Sequence, residues 1–377
     1  MFTISPTNGF EKHLCDKAFA SETPLSGTFE LLPVCNMDCR MCYIRMSREE
    51  MRRTGALLSV DEWFRIGKEA ASKGCMFLLL TGGEPLLYPG FVTLYEKLRD
   101  LGIVVTVNTN GTLIDDKIAE VFQHNRPRRV NVSLYGASDE VYAELCRNPQ
   151  GFSQAMRGIR LLLDKGIRVK VNFTPTPQNC NELEAVVKMT EQLGIPISTP
   201  TYMFPPVRKP DGMNVHKMSR LTPVQAAQVQ ADVFYMACHD SSDYAEQIEA
   251  VLSDMNPEKR DADAEPPGGL LCTAGVSSFW VNWRGGLTPC GMLQNPIKSL
   301  KECSFDRAWN FLRQETKKIS TAKKCFNCRF RAVCKSCGAA SYAENRDFSS
   351  PSRYHCELNA AYERILKKQL ADLKNRY

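Results

Sequence analysis

Residues 35–42 of the chain read CNMDCRMC, and residues 80–85 read LTGGEP. The first stretch spaces Cys35, Cys39 and Cys42 as CxxxCxxC, directly after an apolar run that ends at Val34. The second stretch closes another apolar run with two glycines and an acid. Ligands of parallel α/β proteins bind at the carboxyl ends of strands, so we expect both stretches at one edge of a sheet.

The sequence around these stretches alternates between strand-like and helix-like segments from residue 28 to about residue 200. The strand candidates are short and apolar, as strands buried on both faces should be. They are Thr28–Val34, Met76–Thr81, Ile103–Asn108, Arg129–Leu134, Ile167–Phe173 and Ile195–Tyr202. Amphipathic helical stretches separate them, and Gly102, Gly166 and Gly194 stand where helices need left-handed caps. Six such units predict an α/β fold with a parallel sheet, either doubly wound or a barrel.

Composition narrows the class of protein. The 377 residues are 43% hydrophobic and 24% charged, which excludes a disordered or coiled-coil chain. The longest apolar run, Cys75 to Leu80, is too short for a membrane span, and no export signal precedes it. The net charge of +6 is too mild to indicate DNA binding. We therefore expect a cytoplasmic protein, in which sixteen cysteines indicate metal or redox chemistry.

The CxxxCxxC loop suits an incompletely liganded iron–sulfur cluster. Three thiolates cannot complete a structural zinc site, which takes four protein ligands, but they can hold three irons of a cubane. A zinc loop with a distant fourth ligand is the alternative. In the second stretch, Gly82 and Gly83 allow close backbone approach, and Glu84 can accept hydrogen bonds from an ammonium group. The alternative there is an ordinary turn out of a strand.

Taken together, the two stretches resemble the radical SAM superfamily over about residues 28–202. The resemblance implies a partial (β/α)6 barrel and a [4Fe–4S] cluster on the three cysteines whose open iron binds S-adenosylmethionine (SAM). It also implies reductive cleavage of SAM to a 5′-deoxyadenosyl radical, with an electron donor such as flavodoxin or ferredoxin. Contacts to SAM are implied for Gly82, Gly83, Glu84, Asn110 and Ser133. Met41 and Tyr135 depart from the aromatic and acidic residues that are usual at their positions.

Eight further cysteines lie beyond residue 271, and the order and spacing of seven of them, all but Cys303, resemble the SPASM extension of radical SAM enzymes. That resemblance implies two auxiliary [4Fe–4S] clusters, hence three clusters in all. The first would use Cys272, Cys290 and Cys337, which leaves one iron without an assigned ligand; the second would use Cys325, Cys328, Cys334 and Cys356. The gap between Cys334 and Cys337 is one residue shorter than usual. The alternative is a zinc ribbon on Cys325, Cys328, Cys334 and Cys337.

The expected organisation has four parts. An N-terminal extension covers residues 1–27, and the radical SAM barrel with its following helices covers 28–255. A charged, Pro- and Gly-rich linker occupies 256–271, and the smaller cysteine-rich SPASM domain covers 272–377. The other six cysteines receive no function: Cys15, Cys75, Cys146, Cys180, Cys238 and Cys303.

Within the family that the chain resembles, two auxiliary clusters most often accompany modification of a peptide, such as a crosslink, thioether or epimerisation. An oxidative change is favoured, because a nearby cluster can receive the electron that a substrate radical loses. Gly291 follows Cys290, where the sulfatase-maturating branch has an aspartate. Only 34 residues precede Cys35, so we expect that either a separate protein or the mouth of the barrel recognises any leader peptide, or that the substrate is small. The alternatives are a small-molecule or tetrapyrrole precursor as substrate, and a zinc-stabilised binding protein without catalysis. The sequence assigns no catalytic acid or base.

Overall fold

The structure, a computed structural model, describes residues 9–206, 219–255 and 268–375. Its nine strands form one sheet in the order β6-β5-β4-β3-β2-β1-β7-β8-β9. They are β1 (Ser26–Glu30), β2 (Phe77–Thr81), β3 (Val104–Thr109), β4 (Arg129–Ser133), β5 (Val169–Asn172), β6 (Ile197–Ser198), β7 (Ser278–Val281), β8 (Gly286–Thr288) and β9 (Lys298–Ser299).

The first six strands are parallel, and each lies beside the strand that precedes it in the chain. Because crossovers are right-handed, this unbroken order puts every connecting helix on the same side of the sheet. A doubly wound sheet instead reverses its strand order at a switch point. The order is therefore that of a partial barrel, and the predicted α/β fold with a parallel sheet is confirmed.

Fourteen α-helices surround the sheet in the described ranges. They are α1 (Gly9–Ala20), α2 (Arg48–Thr54), α3 (Val60–Ser72), α4 (Phe91–Asp100), α5 (Asp116–His124), α6 (Asp139–Cys146), α7 (Gly151–Asp164), α8 (Leu183–Gln192), α9 (Pro223–Met236), α10 (Ser241–Asp254), α11 (Phe305–Lys317), α12 (Lys323–Phe326), α13 (Gly338–Asn345) and α14 (Arg353–Lys374). Within those ranges, no helix has both the length and the apolar character that crossing a membrane requires.

Local signals place several of these elements. Ser59 and Glu62 form a capping box at the start of α3. Gly102, Gly166 and Gly194 adopt positive φ angles of 79°, 66° and 63°, as their predicted capping positions require. The first strand ends at Glu30, although the apolar pattern predicts Val34. The chain beyond Glu30 leaves the regular ladder and instead lies against the end of β2.

The two faces of the sheet differ in chemistry. Apolar side chains such as Val105, Val130 and Val169 point to the convex face and join the main core beneath the helices. Phe29 of β1 lies there against Trp63 of α3, with ring centroids 4.7 Å apart. Since side chains along a strand alternate between faces, the concave face carries the polar residues of β4 and β5, such as Asn131 and Lys170, whereas its residues on β2 include the apolar Phe77 and Leu79.

The C-terminal hairpin is part of the same sheet. The predicted strands near Phe279 and Leu287 are β7 and β8, and β7 pairs in parallel with β1 from Ser278 to Val281. Of the predicted linker, residues 256–267 lie outside the described residues. The division of the chain into domains stays a prediction, and the β1–β7 pairing joins the barrel to the cysteine-rich region by backbone hydrogen bonds.

Candidate functional site

The loop of Cys35, Cys39 and Cys42 follows β1 and is fastened to the end of α6. The Asp38 amide donates to the Cys146 carbonyl at 3.1 Å, and the Arg40 amide donates to the Leu145 carbonyl at 2.9 Å. The Asp38 carboxylate also pairs with Arg147, at 2.6 Å. These contacts hold the middle of the loop against the end of α6.

The three thiols lie in one electrostatic neighbourhood. Burial raises the pKa of Cys35 to about 12; the Met37 amide, which donates to its sulfur, opposes this, and Glu84, Cys39 and Cys42 reinforce it. The Cys42 sulfur accepts the Arg45 amide at 3.3 Å. Thiols with raised pKa values are protonated at neutral pH, so any metal they bind must displace protons.

Cys39 has an unexpected neighbour in Cys146. A hydrogen bond with the Cys146 thiol, followed by burial, raises the pKa of Cys39 well above its ordinary value. Cys146 is the last residue of α6 and is fully buried. No ligand-like spacing in the sequence singles it out, because its proximity to Cys39 arises only when α6 docks on the loop.

Gly82 and Gly83 follow β2 where no side chain fits. A Cβ on Gly82 would stand 2.5 Å from the Leu32 carbonyl oxygen, and one on Gly83 would stand 2.3 Å from the Val34 carbonyl oxygen. The Gly83 amide donates a hydrogen bond to the Leu32 carbonyl oxygen at 2.7 Å. The two glycines therefore let the segments that follow β1 and β2 pack in direct contact, which brings the cysteine loop beside the Gly-Gly-Glu turn.

Glu84 is fully buried and its carboxylate meets protein donors. It accepts the Thr109 hydroxyl at 2.7 Å, the Asn110 amide at 2.8 Å and the Leu86 amide at 3.2 Å. Burial raises its pKa to about 7, although these donors favour the ionised form. The carboxylate thus ties the end of β2 to the end of β3. Its predicted contact with the SAM amino group stays a prediction.

Asn110 and Ser133 lie at the same edge. The Asn110 side-chain amide is 3.7 Å from the Cys35 sulfur and donates to the Asn36 side-chain oxygen at 2.8 Å. Ser133 ends β4 and hydrogen-bonds the side chain of Tyr135. Burial, then the neighbouring Cys39, raises the pKa of Tyr135 well above its ordinary value. The predicted SAM contacts and the cysteine loop are therefore brought together, and Tyr135 joins them as a site residue.

The C-terminal cysteines fall into two groups. Burial raises the pKa of Cys272 to about 12, and Cys337 and Cys290 raise it further. Burial raises the pKa of Cys290 to about 11, again with Cys337 as a neighbour. A small apolar cluster that includes Leu270 and Leu293 surrounds these three thiols. They are the three predicted to hold the first auxiliary cluster.

The second group contains the other four. Burial raises the pKa of Cys325 to about 11, with Cys356, Cys334 and Cys328 adding to the effect. Burial also raises the pKa of Cys356, and Cys328 and Cys334 contribute. Cys337, which the zinc-ribbon alternative needs beside these residues, interacts with the first group instead.

Thiolates are the donors that iron–sulfur clusters take, so three in the loop fit a cubane with one open iron, and the C-terminal groups of three and four fit further clusters. In the described residues, no three His, Cys, Asp or Glu side chains are placed to hold a single metal ion.

Comparison with known proteins agrees with this site. Residues 29–190 match the Radical SAM superfamily. The AdoMet-dependent heme synthase of Methanosarcina barkeri is 25% identical over 86% of this chain and 94% of its own length. The sporulation killing factor maturation protein SkfB of Bacillus subtilis is 26% identical over 76% of this chain and 64% of its own length.

Among solved structures, Streptococcus suis SuiB bound to its precursor peptide SuiA superposes with a TM-score of 0.65 at 17% identity, covering 93% of this chain and 82% of SuiB. At that identity the likeness concerns the fold. The superfamily implies SAM and one [4Fe–4S] cluster as cofactors. Residues 29–190 are thus a radical SAM domain, and the chain that carries this domain is an enzyme.

Proposed function

We propose that this enzyme cleaves SAM reductively and modifies a peptide with the help of two auxiliary clusters, either oxidatively, as in a crosslink or a thioether, or by epimerisation. The observation that carries the proposal is the gathering of seven C-terminal cysteines into one group of three and one group of four. The similarity to SkfB, a maturation protein, supports a peptide as substrate.

Each part of the site has a role in this proposal. When bound, SAM and its cluster supply a 5′-deoxyadenosyl radical for hydrogen abstraction, and the auxiliary clusters supply acceptors for the electron that an oxidised product loses. Cys35, Cys39 and Cys42 hold the first cluster. Gly82 and Gly83 let the turn after β2 pack against residues 32–34, which places the turn beside the cysteine loop where the methionine part of SAM would bind. Glu84 keeps the ends of β2 and β3 in register.

The C-terminal groups hold the auxiliary clusters next to the barrel, because β7 pairs with β1. Buried apolar surroundings around Cys272 and Cys290 exclude water from the first of them. A separate leader-binding protein and an acidic electron donor such as flavodoxin or ferredoxin complete the proposed system, which we place in the cytoplasm.

Anaerobic reconstitution followed by co-expression tests the proposal. Three cubanes predict about twelve irons per chain, and dithionite with SAM should release deoxyadenosine. A candidate peptide co-expressed with the enzyme should lose the mass of two hydrogen atoms if it is crosslinked. Failure of the fully metallated enzyme to release deoxyadenosine would contradict SAM cleavage. Release with neither a change in peptide mass nor a D-residue in the hydrolysed peptide would contradict the peptide substrate.

A tetrapyrrole precursor is the second candidate substrate. The heme synthase of M. barkeri aligns with 86% of this chain, more than SkfB does, and that observation favours it. Incubation of the reconstituted enzyme with SAM, dithionite and an iron-containing coproporphyrin separates the two candidates. Loss of carbon dioxide from the porphyrin, seen by mass spectrometry, would replace the peptide proposal, and an unchanged porphyrin would remove this candidate.

A further inference from the structure

The concave face of the barrel carries a polar wall on β3, β4 and β5, formed by Thr106, Asn108, Arg129, Asn131 and Lys170. Thr106 is the cross-strand partner of Arg129, and Asn131 is the partner of Lys170. The Asn131 side-chain amide donates to the Asn108 side-chain oxygen at 2.7 Å, which fixes both on one face. The intervening valines belong to the helix-covered core, so the polar wall faces the barrel interior.

Three atoms of the polar wall are buried without a hydrogen-bond partner in the described part of the chain. They are the Thr106 hydroxyl, the Arg129 Nε and the Asn131 side-chain oxygen. Thr106 is 1% exposed and Asn131 is 6% exposed. Buried polar groups nearly always find partners, because leaving one unsatisfied costs free energy. Three such atoms on neighbouring strands indicate a position that a polar ligand completes.

The charge on the polar wall is positive. Within the described ranges, the side chains of Arg129 and Lys170 make no ion pair, whereas the adjacent Arg128 pairs with Glu11 at 2.8 Å. Burial, then the neighbouring Arg129, lowers the pKa of Lys170. Burial, then Arg128, lowers the pKa of Arg129, which Glu11 partly offsets. Two neighbouring cations without an ion pair in the described ranges, of which only Arg129 is partly compensated by Glu11, favour an anionic ligand.

The concave face is partly exposed between the polar wall and the ends of β4 and β5. Asn108, Ser133, Lys170 and Asn172 are half-buried rather than closed off. Lys170 lies two residues before the end of β5, which is about 7 Å along a strand from the edge where the cysteine loop lies. A ligand held at Lys170 therefore extends toward the SAM site.

The donors of the polar wall select the class of anion. Phosphate sites generally use free backbone N–H groups in loops or at helix ends. Here the backbone N–H groups belong to the strand ladder, so only side chains can donate. A guanidinium, an ammonium and a hydroxyl match a carboxylate, which accepts at two oxygens.

We infer that the polar wall binds a carboxylate of the substrate, with Lys170 and Arg129 as its charge partners and Thr106 as a further donor. The inference rests on the proposed function, because it places the substrate in the barrel interior beside SAM. An acidic side chain of a peptide and a propionate of a tetrapyrrole both offer this group.

Equilibrium binding to the reconstituted holoenzyme, without reductant, tests the inference. One arm titrates Fe-coproporphyrin III by absorbance, and the other follows a fluorescein-labelled peptide with a central Glu, beside its Gln counterpart, by anisotropy. Lys170→Met should lower the affinity for whichever probe the wild type binds by roughly 10- to 100-fold, as expected for a lost hydrogen bond to a charged group. Lys170→Arg should retain most of the affinity.

Arg168→Gln is the matched control. Arg168 is exposed and lines a separate cleft of about 240 Å³ with Arg126 and Arg128 at the amino ends of β4 and β5. The inference predicts that this variant binds as the wild type does. Iron content and thermal unfolding of each variant establish that it is folded and loaded.

The arms also identify the source of the carboxylate. Loss of porphyrin binding in Lys170→Met assigns the polar wall to propionates, and loss of preference for the Glu peptide assigns it to an acidic peptide. Equal affinity of wild type and Lys170→Met, no binding of either probe, or a loss found only in Arg168→Gln would each overturn the inference. Because no turnover is measured, these results stand apart from the deoxyadenosine assay that tests the proposed function.

Discussion

The cysteine loop and the C-terminal cysteines are assembled in different ways. The loop collects Cys35, Cys39 and Cys42 within eight residues, and its thiols meet because the chain turns locally after β1. The C-terminal thiols come from segments between Cys272 and Cys356 that meet only through tertiary packing. Spacing in the sequence is therefore a strong guide to the first site, while the partition of the second depends on the fold.

The same comparison holds for the contacts around the thiols. Even the local loop depends on residues distant in the sequence. The end of α6 accepts a hydrogen bond from the loop at the Cys146 carbonyl, and the turn at Gly83 packs against Val34. The C-terminal groups depend on such contacts throughout. Replacing cysteine ligands in the loop and replacing them in the C-terminal groups should therefore have different effects, which can be measured separately.

Replacing Cys35, Cys39 and Cys42 together by Ala should have the largest effect. Without their thiolates the first cluster has no protein ligands, so deoxyadenosine release should fall to background and about four irons should be lost. Anaerobic chromatography of deoxyadenosine and iron analysis check this. SAM cleavage that persists in the triple variant would show that the loop is not the SAM-cleaving site.

Replacing Cys272 by Ala should separate the two regions. Product formation should stop and about four irons should be lost, while deoxyadenosine release stays measurable, because the loop keeps its ligands. Cys180→Ala is the control, as Cys180 belongs to neither group. Normal product formation by Cys272→Ala would mean that the first C-terminal group serves only structure.

Replacing Gly83 by Ala tests the non-local support of the loop. The added Cβ would stand 2.3 Å from the Val34 carbonyl oxygen, which is backbone and must shift, so the free energy of unfolding should fall by about 1–3 kcal/mol. Urea unfolding measures it. Gly9→Ala, where no atom lies within 4 Å, should stay within about 0.5 kcal/mol of wild type. Equal effects of the two substitutions would remove the steric argument.

Replacing Glu363 by Gln should have the smallest effect. Its carboxylate accepts both Arg329 guanidinium nitrogens, at 2.9 and 2.6 Å, and so ties the segment after Cys328 to α14. Since Arg329 is 41% exposed, solvent screens the pair and the loss should be about 1 kcal/mol at neutral pH. Glu357→Gln on the same helix, which breaks an exposed pair with Arg353, should cost less.

The effect of Glu363 should depend on pH. The Arg329 guanidinium, with Lys367, lowers the pKa of Glu363 to about 2 from an ordinary value of 4.5. A lowered pKa stabilises the folded protein above the ordinary value and loses that contribution as pH falls toward about 2. The difference between wild type and Glu363→Gln should therefore be constant near neutrality and shrink below pH 4.5. A difference that grows on acidification would contradict the assignment.

Much of the fold was predictable because its signals are local. Apolar runs mark the six parallel strands, and Ser59 with Glu62 marks the start of α3. The Gly-Gly-Glu turn follows its strand as the pattern predicts. By contrast, α1 and α6 went unpredicted, although Ser138 caps α6 in the ordinary way.

The missed site residues share a cause. Cys146 and the polar wall of β3, β4 and β5 acquire their surroundings only from neighbouring strands and docked helices. The sequence shows Lys170 as one charged residue in an apolar strand, without the unpaired Thr106 and Asn131 that lie nearby. Local spacing identifies ligands of one loop, but it cannot identify groups assembled across a sheet.

The pairing of β7 with β1 also governs how this protein can be divided. Cutting the chain before residue 278 would strip β1 of its partner on one side and leave its N–H and C=O groups as a bare sheet edge. Exposed edges of this kind recruit other chains and promote aggregation. β1, which leads into the cysteine loop, therefore depends on β7, in the last third of the polypeptide, to cover its edge. A truncated enzyme should aggregate as well as lose activity.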